Sequence, residues 1–277
     1  MKQGRISQTA LKVALGLVTL SVKDDWAQHL PAGLVEMSER LLMASGSPGY
    51  GHRMMRMSKR PWMIRAYEFQ DLLMPGQFEG FGHRKIFVQQ QVEVAIEQGA
   101  RQVLVVGAGF DTLCLRLAPQ HPHVQFFEVD HPATSAAKAK GIALEGQPTN
   151  MIQIAADLGE RPLSKVLSEE GRWETSLPSV FVAEGLFQYL TDEEVQGLLV
   201  EAAACTSPGS RFVFTHAIPG YRRMVSILTV LIGEPWKSAV QSEDLPEYVE
   251  GTGWTMISDV DTDSAHGVER YAVAERR

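Results

Sequence analysis

The sequence predicts an α/β fold: a mainly parallel, seven-stranded sheet with helices on both faces, preceded by an N-terminal helical cap. Two observations carry that prediction. From Arg101 onward, short β-branched apolar runs alternate with segments of helical spacing, the pattern of strands joined by crossover helices. Before that point, apolar residues recur at three- and four-residue intervals and nothing reads as a strand. The chain of 277 residues is long enough for one large α/β domain carrying an elaborated cap.

Taken in order, Val13, Leu17 and Leu20 lie on one face of a first helix. Its early positive charges and apolar run resemble a secretion signal. Lys12 interrupts the run and no small-residue cleavage site follows, so the expectation is a helix packed on the body. Leu34, Met37, Leu41 and Leu42 mark another helix. A break is expected at "SGSPGYGHR", then an insert rich in Met, Arg and aromatics, "MMRMSKRPWMIRAYEF". A second loop is expected at "MPGQFEGFG", with helix resuming from Arg84 to Gln98.

The strand candidates are Gln102–Val106, Val124–Val129, Met151–Ala155, Ser179–Ala183 and Arg211–Thr215. The segments "GWTMISDVD" and "ERYAVAER" add a closing antiparallel pair. Thr191 with Glu194 three residues on reads as a capping box, so Asp192, Glu193 and Glu194 are helix-start charges. The expected division is a helical cap over 1–83 and a sheet domain over 84–277. A helical insertion at about 216–240 would cover the site together with the Met- and Arg-rich insert.

Composition narrows the function classes. Hydrophobic residues make up 44% and charged residues 21%, ordinary for a globular chain. A formal net charge of -7 argues against a nucleic-acid partner. No segment is apolar for long enough to span a membrane, and no membrane partner is expected. Cys114 and Cys205 fit no zinc spacing and read as reduced core residues, which favours a cytoplasmic setting and no metal.

In an open parallel sheet, ligands bind at the carboxyl ends of the strands. After the first strand, "VLVVGAGFDTLCLRLA" supplies Gly107 and Gly109, a turn that lets the backbone approach a ligand. It lacks the third glycine of a dinucleotide fingerprint and carries Asp111 instead. Asp111 either faces the ligand or only caps the following helix. After the second strand, Asp130 lies about twenty residues beyond the turn, where an acid holds a ribose. Glu128 is one pleat away, and Asp130 also reads as a helix N-cap ahead of His131-Pro132. Asp157 with Leu158 follows the third strand, suited to an adenine edge and face, or to solvent. Glu184 follows the fourth strand behind four apolar residues, a position costly for an unpaired acid.

At these positions together, "VVGAGFDTLCLRL", "FFEVDHPATSAAK", "AADL" and "VAEGLFQYL", the sequence resembles the leucine carboxyl methyltransferase family. The likeness is good from about Arg84 to Tyr189, and "EDLPEYVEGTGW" is a weaker echo. It implies a Rossmann-like methyltransferase fold and S-adenosylmethionine as cofactor, leaving as S-adenosylhomocysteine. It further implies that Gly107 and Gly109 lie against the cofactor's amino-acid part and that Asp130 binds its ribose. Asp157 and Leu158 would bind adenine, and Glu184 would line the methionyl end. Arg84 would bind the cofactor carboxylate, with Lys12 closing over it. The family's usual arginine two residues after the turn's Asp is Leu113 here.

The resemblance rationalises the turn, because this cofactor has no phosphates and carries an ammonium and a sulfonium. A methyl leaving a sulfonium needs no acid, and a carboxylate acceptor needs no base, so proximity and alignment suffice. No compelling base is found among His83, His131 and His216. The expected acceptor is therefore a carboxylate of a small, polyketide-like metabolite, anionic and met by cations. Arg222 and Arg223 are candidates, as are Arg53, Arg56, Arg60 and Arg65 in the insert. Tyr189 and His216 are further acceptor-side candidates. Met54, Met55, Met57 and Met63 with Trp62 either line an adaptable pocket or form core. The competing readings are a phenolic or protein C-terminal acceptor, a nicotinamide-dependent oxidoreductase, and a non-catalytic cofactor binder.

Overall fold

A computed structural model describes residues 4–72, 74–220, 234–260 and 267–277. The N-terminal part is helical: α1 (Gln8–Leu20), α2 (Trp26–His29), α3 (Leu34–Ala44), α4 (His52–Ser58), α5 (Pro61–Asp71) and α6 (Gln77–Glu97). Strands and helices then alternate as β1 (Gln102–Val106), α7 (Leu113–Leu117), β2 (Gln125–Asp130), α8 (Pro132–Glu145), β3 (Met151–Ala155), α9 (Leu163–Glu170), β4 (Ser179–Ala183), α10 (Asp192–Ala204) and β5 (Arg211–Ala217). The chain closes with β6 (Trp254–Val260) and β7 (Glu269–Arg276).

The seven strands form one sheet in the order β3-β2-β1-β4-β5-β7-β6. The first five are mutually parallel, and β7 runs antiparallel to both β5 and β6. Every residue of β1 is buried because helices cover both faces of the sheet. Val103 and Val105 join one core with Leu11, Leu15, Leu41, Val88 and Val92. Leu104 and Val106 point the other way, into a core with Val166, Leu167 and Leu199. Pleating of a single strand thus feeds two hydrophobic layers.

Local chemistry sets the helix boundaries. Ser7 caps α1 by accepting the Ala10 N–H, and Thr191 and Glu194 form the expected reciprocal capping box on α10. The start of α8 corrects the sequence reading. Its N-cap is His131, whose ring accepts the Ala133 N–H, with Pro132 at the first helical position. Asp130 is the last residue of β2 and is free of that duty.

The second expected loop is also shorter than its glycines suggest. α6 begins at Gln77, so Phe78 to Gly82 are helical. A Cβ at Gly82 would stand 2.5 Å from the Trp26 ring, so this glycine serves a close helix contact and not a turn. His83 and Arg84 are consecutive residues inside α6, and α1 and α3 share one core with the sheet. Cys114 and Cys205 are buried and unpaired. No helix among the described residues is long and apolar enough to cross a membrane.

Candidate active site

The strand order reverses around β1, which pairs with β2 on one side and β4 on the other. Crevices open at the carboxyl ends of strands at such a switch point. A cavity of about 560 Å³ lies there, within the usual range for small-molecule sites. Lys12, Arg84, Gly107, Gly109 and Asp111 all stand on its wall, as do Asp130, Asp157, Leu158 and Glu184. Residues up to 172 positions apart therefore meet in one space.

The glycine turn is pinned to the end of β2. The Gly107 N–H donates to the Val129 carbonyl at 2.8 Å, and the Gly109 N–H donates to Asp130 Oδ2 at 2.5 Å. Gly107 and Gly109 sit at φ 67° and 48°, backbone territory that a side chain disfavours. Space is equally restrictive, since a Cβ would meet Leu186 at 2.9 Å from Gly107 and Ala10 at 2.9 Å from Gly109. The first helix therefore rests directly on the turn.

Asp130 Oδ1 accepts the His131 N–H at 2.6 Å. Burial pushes this carboxyl up, and the two backbone donors pull the other way. The choice between Asp130 and Glu128 is resolved by the strand's end. Glu128 is 3% exposed, salt-bridged to the buried Lys138 at 2.6 Å, and off the cavity wall. Asp157 accepts the Gly159 N–H at 2.9 Å and lies 3.6 Å from His131 Nε2.

A buried chain of charges also lines the cavity. Glu269 Oε2 meets Arg84 Nη1 at 2.8 Å, and Arg84 Nε lies 2.9 Å from Glu184 Oε1. The same Glu184 oxygen is 2.8 Å from Lys85 Nζ, which is 3.0 Å from Asp111 Oδ2. Asp111 lines the cavity and also holds the start of the helix after the turn. Its Oδ1 accepts the Leu113 N–H at 2.9 Å, while Oδ2 faces Lys85. Burial pushes Asp111 up, but Lys85, Lys138 and Arg116 outweigh it and hold the carboxyl at about 2. Burial lowers Arg84, but Glu269 and Glu184 more than reverse that and raise it.

In this ion-paired chain three carboxylates alternate with two cations, and Arg116 also acts on Asp111 and Glu184. Glu184 Oε2 is buried without a hydrogen-bond partner. An orphaned carboxylate oxygen on a cavity wall is unstable unless a ligand donates to it. Lys12 offers the complement. It lines the same cavity, half-buried, with its pKa lowered by burial. No ion pair to Lys12 occurs among the described residues. A ligand carrying both an ammonium and a carboxylate fits this pair of unmet groups.

The remaining wall is more apolar. Tyr189 lies beside Thr9 and Trp236, and burial pushes its phenol up to about 12. Glu234 lines this end and accepts the Thr9 N–H at 3.0 Å. Lys85 and Glu269 escape the sequence reading, whereas Glu234 and Trp236 fall in the segment expected to cover the site. Lys85 had a signal, a second cation beside Arg84 in an otherwise apolar stretch; Glu269 had none.

Other candidates lie elsewhere. His216 is 2% exposed, off the cavity wall, with Nδ1 3.1 Å from the Val240 carbonyl. Burial holds it down to about 4. His83 packs edge-on against Trp26 and also stands off the wall. Arg53, Arg56, Arg60 and Arg65 are exposed and away from the cavity. Met55 belongs to the core shared with the sheet and Met54 packs against it, Met63 packs on the cap cluster, and Trp62 is half exposed. Of the cover expected from that insert and from 216–240, 234–237 stand on the wall, joined by Met74 and Gln77, and 221–233 lie outside the described residues. Arg222 and Arg223 lie outside the described residues.

Comparisons with known proteins give the family and the fold. A family model described as leucine carboxyl methyltransferase matches residues 14–203. A protein of Parafrankia sp., assigned as an S-adenosyl-L-methionine-dependent methyltransferase, is 29% identical over 178 residues, 62% of this chain and 56% of that protein. One of Streptomyces coelicolor, assigned likewise, is 29% identical over 199 residues, 70% of this chain and 66% of that protein. The chain thus spans between about half and two thirds of these relatives. A solved structure from Thermobifida fusca, assigned as a methyltransferase, aligns with a TM-score of 0.62. It is 17% identical over 86% of this chain and 94% of that one, a likeness of fold.

Proposed function

The chain belongs to the leucine carboxyl methyltransferase family, and from that premise we propose that it methylates an oxygen of a small molecule, a carboxylate first, using S-adenosylmethionine. The observation that carries this reading is the convergence on one cavity of nine residues drawn from between Lys12 and Glu184, with an unmet carboxylate oxygen and an unmet ammonium among its lining. When bound, S-adenosylmethionine supplies an electrophilic methyl on a sulfonium.

The chain's own groups then have distinct tasks. Glu184, through its unmet oxygen, receives the ammonium, and Lys12 the carboxylate. Arg84 is already held by two acids, so it acts chiefly by fixing Glu184 in place. Asp130 takes the ribose, and Asp157 with Leu158 takes adenine. The cap contributes cover through α1, which supplies Ala10 to the turn and Lys12 to the wall.

The preference for a carboxylate rests on how the candidate bases of the described wall are engaged: His131 lines the cavity, but its Nδ1 accepts the Ala133 N–H and its Nε2 faces Asp157. Tyr189 keeps its proton at neutral pH, Glu234 is occupied by the Thr9 N–H, and Glu269 by Arg84 and Gln188. A phenol or alcohol would need its proton taken. An acceptor already ionised needs only alignment against Tyr189 and Trp236. A cytoplasmic location belongs to the same reading, from the reduced, buried cysteines.

Calorimetry with S-adenosylmethionine, S-adenosylhomocysteine and NAD tests the cofactor, with heat expected only from the first two. Release of S-adenosylhomocysteine over a panel of carboxylic acids and phenols tests the acceptor. Turnover of phenols alone would sink the carboxylate preference, and binding without any turnover would favour a non-catalytic binder.

A further inference from the structure

The outward face of α5 is apolar where a helix of this kind should be polar. Tyr67 points inward, donating its hydroxyl to the Lys12 carbonyl at 3.3 Å, and Met63 and Ile64 pack on the cap core. Trp62, Phe69 and Leu72 point outward, 50%, 71% and 74% exposed. With Arg65 they fall at spacings of three, four and three residues, one stripe of a helix. Three large apolar side chains in one exposed stripe mark a contact surface.

The surroundings give the charge of the occupant. Arg53, Arg56, Arg60 and Arg65 are all exposed. Among the described residues none of the four makes an ion pair, whereas Lys59 pairs with Glu39 and Lys23 with Glu68. Four guanidinium groups without an ion pair thus lie between positions 53 and 65 of a chain of net charge -7. An anionic partner repels the molecule as a whole and attracts this face, so charge alone sets the orientation.

We propose that the outward face of α4 and α5 docks the protein on an anionic lipid surface, with α5 lying in the plane of the interface. Trp62, Phe69 and Leu72 enter the boundary between headgroups and acyl chains, and the arginines meet lipid phosphates. A bilayer interface asks for an aromatic stripe flanked by arginines and for no pocket, and these side chains stand away from the cavity. At eleven residues α5 lies on the surface and does not span it. Docking sets the cavity close to lipid, because Met74 and Gln77 on its wall directly follow α5. The proposal holds whatever the methyl acceptor is.

Co-sedimentation with vesicles tests it, using phosphatidylcholine alone and phosphatidylcholine with phosphatidylglycerol at about three to one. Binding is expected on the mixed vesicles, about tenfold or more weaker on the neutral ones, and lost as salt rises. Phe69→Ser with Leu72→Ser, and separately Arg60→Glu with Arg65→Glu, should each lower partitioning about tenfold. Unchanged melting temperatures and S-adenosylhomocysteine affinity would show that only the surface was altered. Equal partitioning onto both vesicle types overturns the proposal, as does indifference to both double variants. A dimer in sedimentation velocity that both variants abolish overturns it too, by making a second copy the occupant.

Discussion

Asp130 has two oxygens, and each already accepts a backbone N–H, from Gly109 and His131. Its proposed ribose contact therefore uses remaining lone pairs, and its orientation is fixed before a ligand arrives. Asp130→Asn is expected to bind S-adenosylhomocysteine worse than Asp130→Ala. The amide must aim an NH₂ at one of the two backbone donors, whereas alanine leaves room for water. Calorimetry should show losses of about tenfold for alanine and more for asparagine; an asparagine variant equal to the parent would remove Asp130 from the site. His216 gives a test in the other direction, since it is buried for packing. Burial holds it at about 4 against an ordinary value of 6.5. Between those values the unfolded chain binds a proton that the folded chain refuses, so stability falls as pH drops through that window. The loss should be roughly 2 kcal/mol by pH 5. Urea unfolding at pH 7 and pH 5 should show His216→Gln losing less than the parent; equal losses would show that His216 does not titrate this way.

At the scale of elements, two helical glycines make opposite predictions. A Cβ at Gly141 of α8 would lie 2.6 Å from Leu41 Cδ2 and 2.9 Å from Leu41 Cα. A side-chain tip can rotate away, but a backbone atom of α3 cannot. Gly141→Ala should therefore destabilise by about 1–3 kcal/mol despite alanine's better helix propensity. Gly197 of α10 has nothing within 4 Å of its Cβ position, so Gly197→Ala should stabilise by up to about 1 kcal/mol. Urea midpoints for the two variants decide the matter, and a stabilising Gly141→Ala would show that α3 and α8 are less tightly seated. The same distinction explains how far the elements were legible in the sequence. The strands were readable because a buried parallel strand is a short β-branched run, whatever it packs against. β1, β3 and β4 fall on the expected residues, and β2 and β5 differ only at their ends. The start of α6 was not readable. Gly80 and Gly82 look alike as letters, and only the Trp26 ring tells that Gly82 is a packing surface.

At the scale of the molecule, the cavity joins what the sequence could and could not supply. Gly107, Asp130, Asp157 and Glu184 were legible because each sits at a strand end, a position that local pattern locates. Glu269 was not, because its partner Arg84 lies 185 residues away and only the antiparallel seat of β7 beside β5 brings them together. Lys12 is intermediate. Its helix was evident, but its place on the wall depends on α1 resting against Gly109 through Ala10. That contact makes α1 part of the site, not merely a cover. A ligand binding both the turn and Lys12 must then stabilise α1 against opening. Saturating S-adenosylhomocysteine at about a hundred times its Kd should add about 2.7 kcal/mol of stability. Amide exchange over residues 8–20 should slow with it, while β6, at the far edge of the sheet, changes less. Lys12→Met separates the two contributions. Binding of S-adenosylhomocysteine should weaken about tenfold or more, because a carboxylate loses its only unpaired cation on the described wall. Binding of methylthioadenosine, which has no carboxylate, should hold, and the slowing in α1 should shrink in proportion. Equal losses for both ligands would mean that Lys12 supports the helix and not the carboxylate. Unchanged exchange in α1 on binding would mean that the helix is only a lining, with the site complete without it.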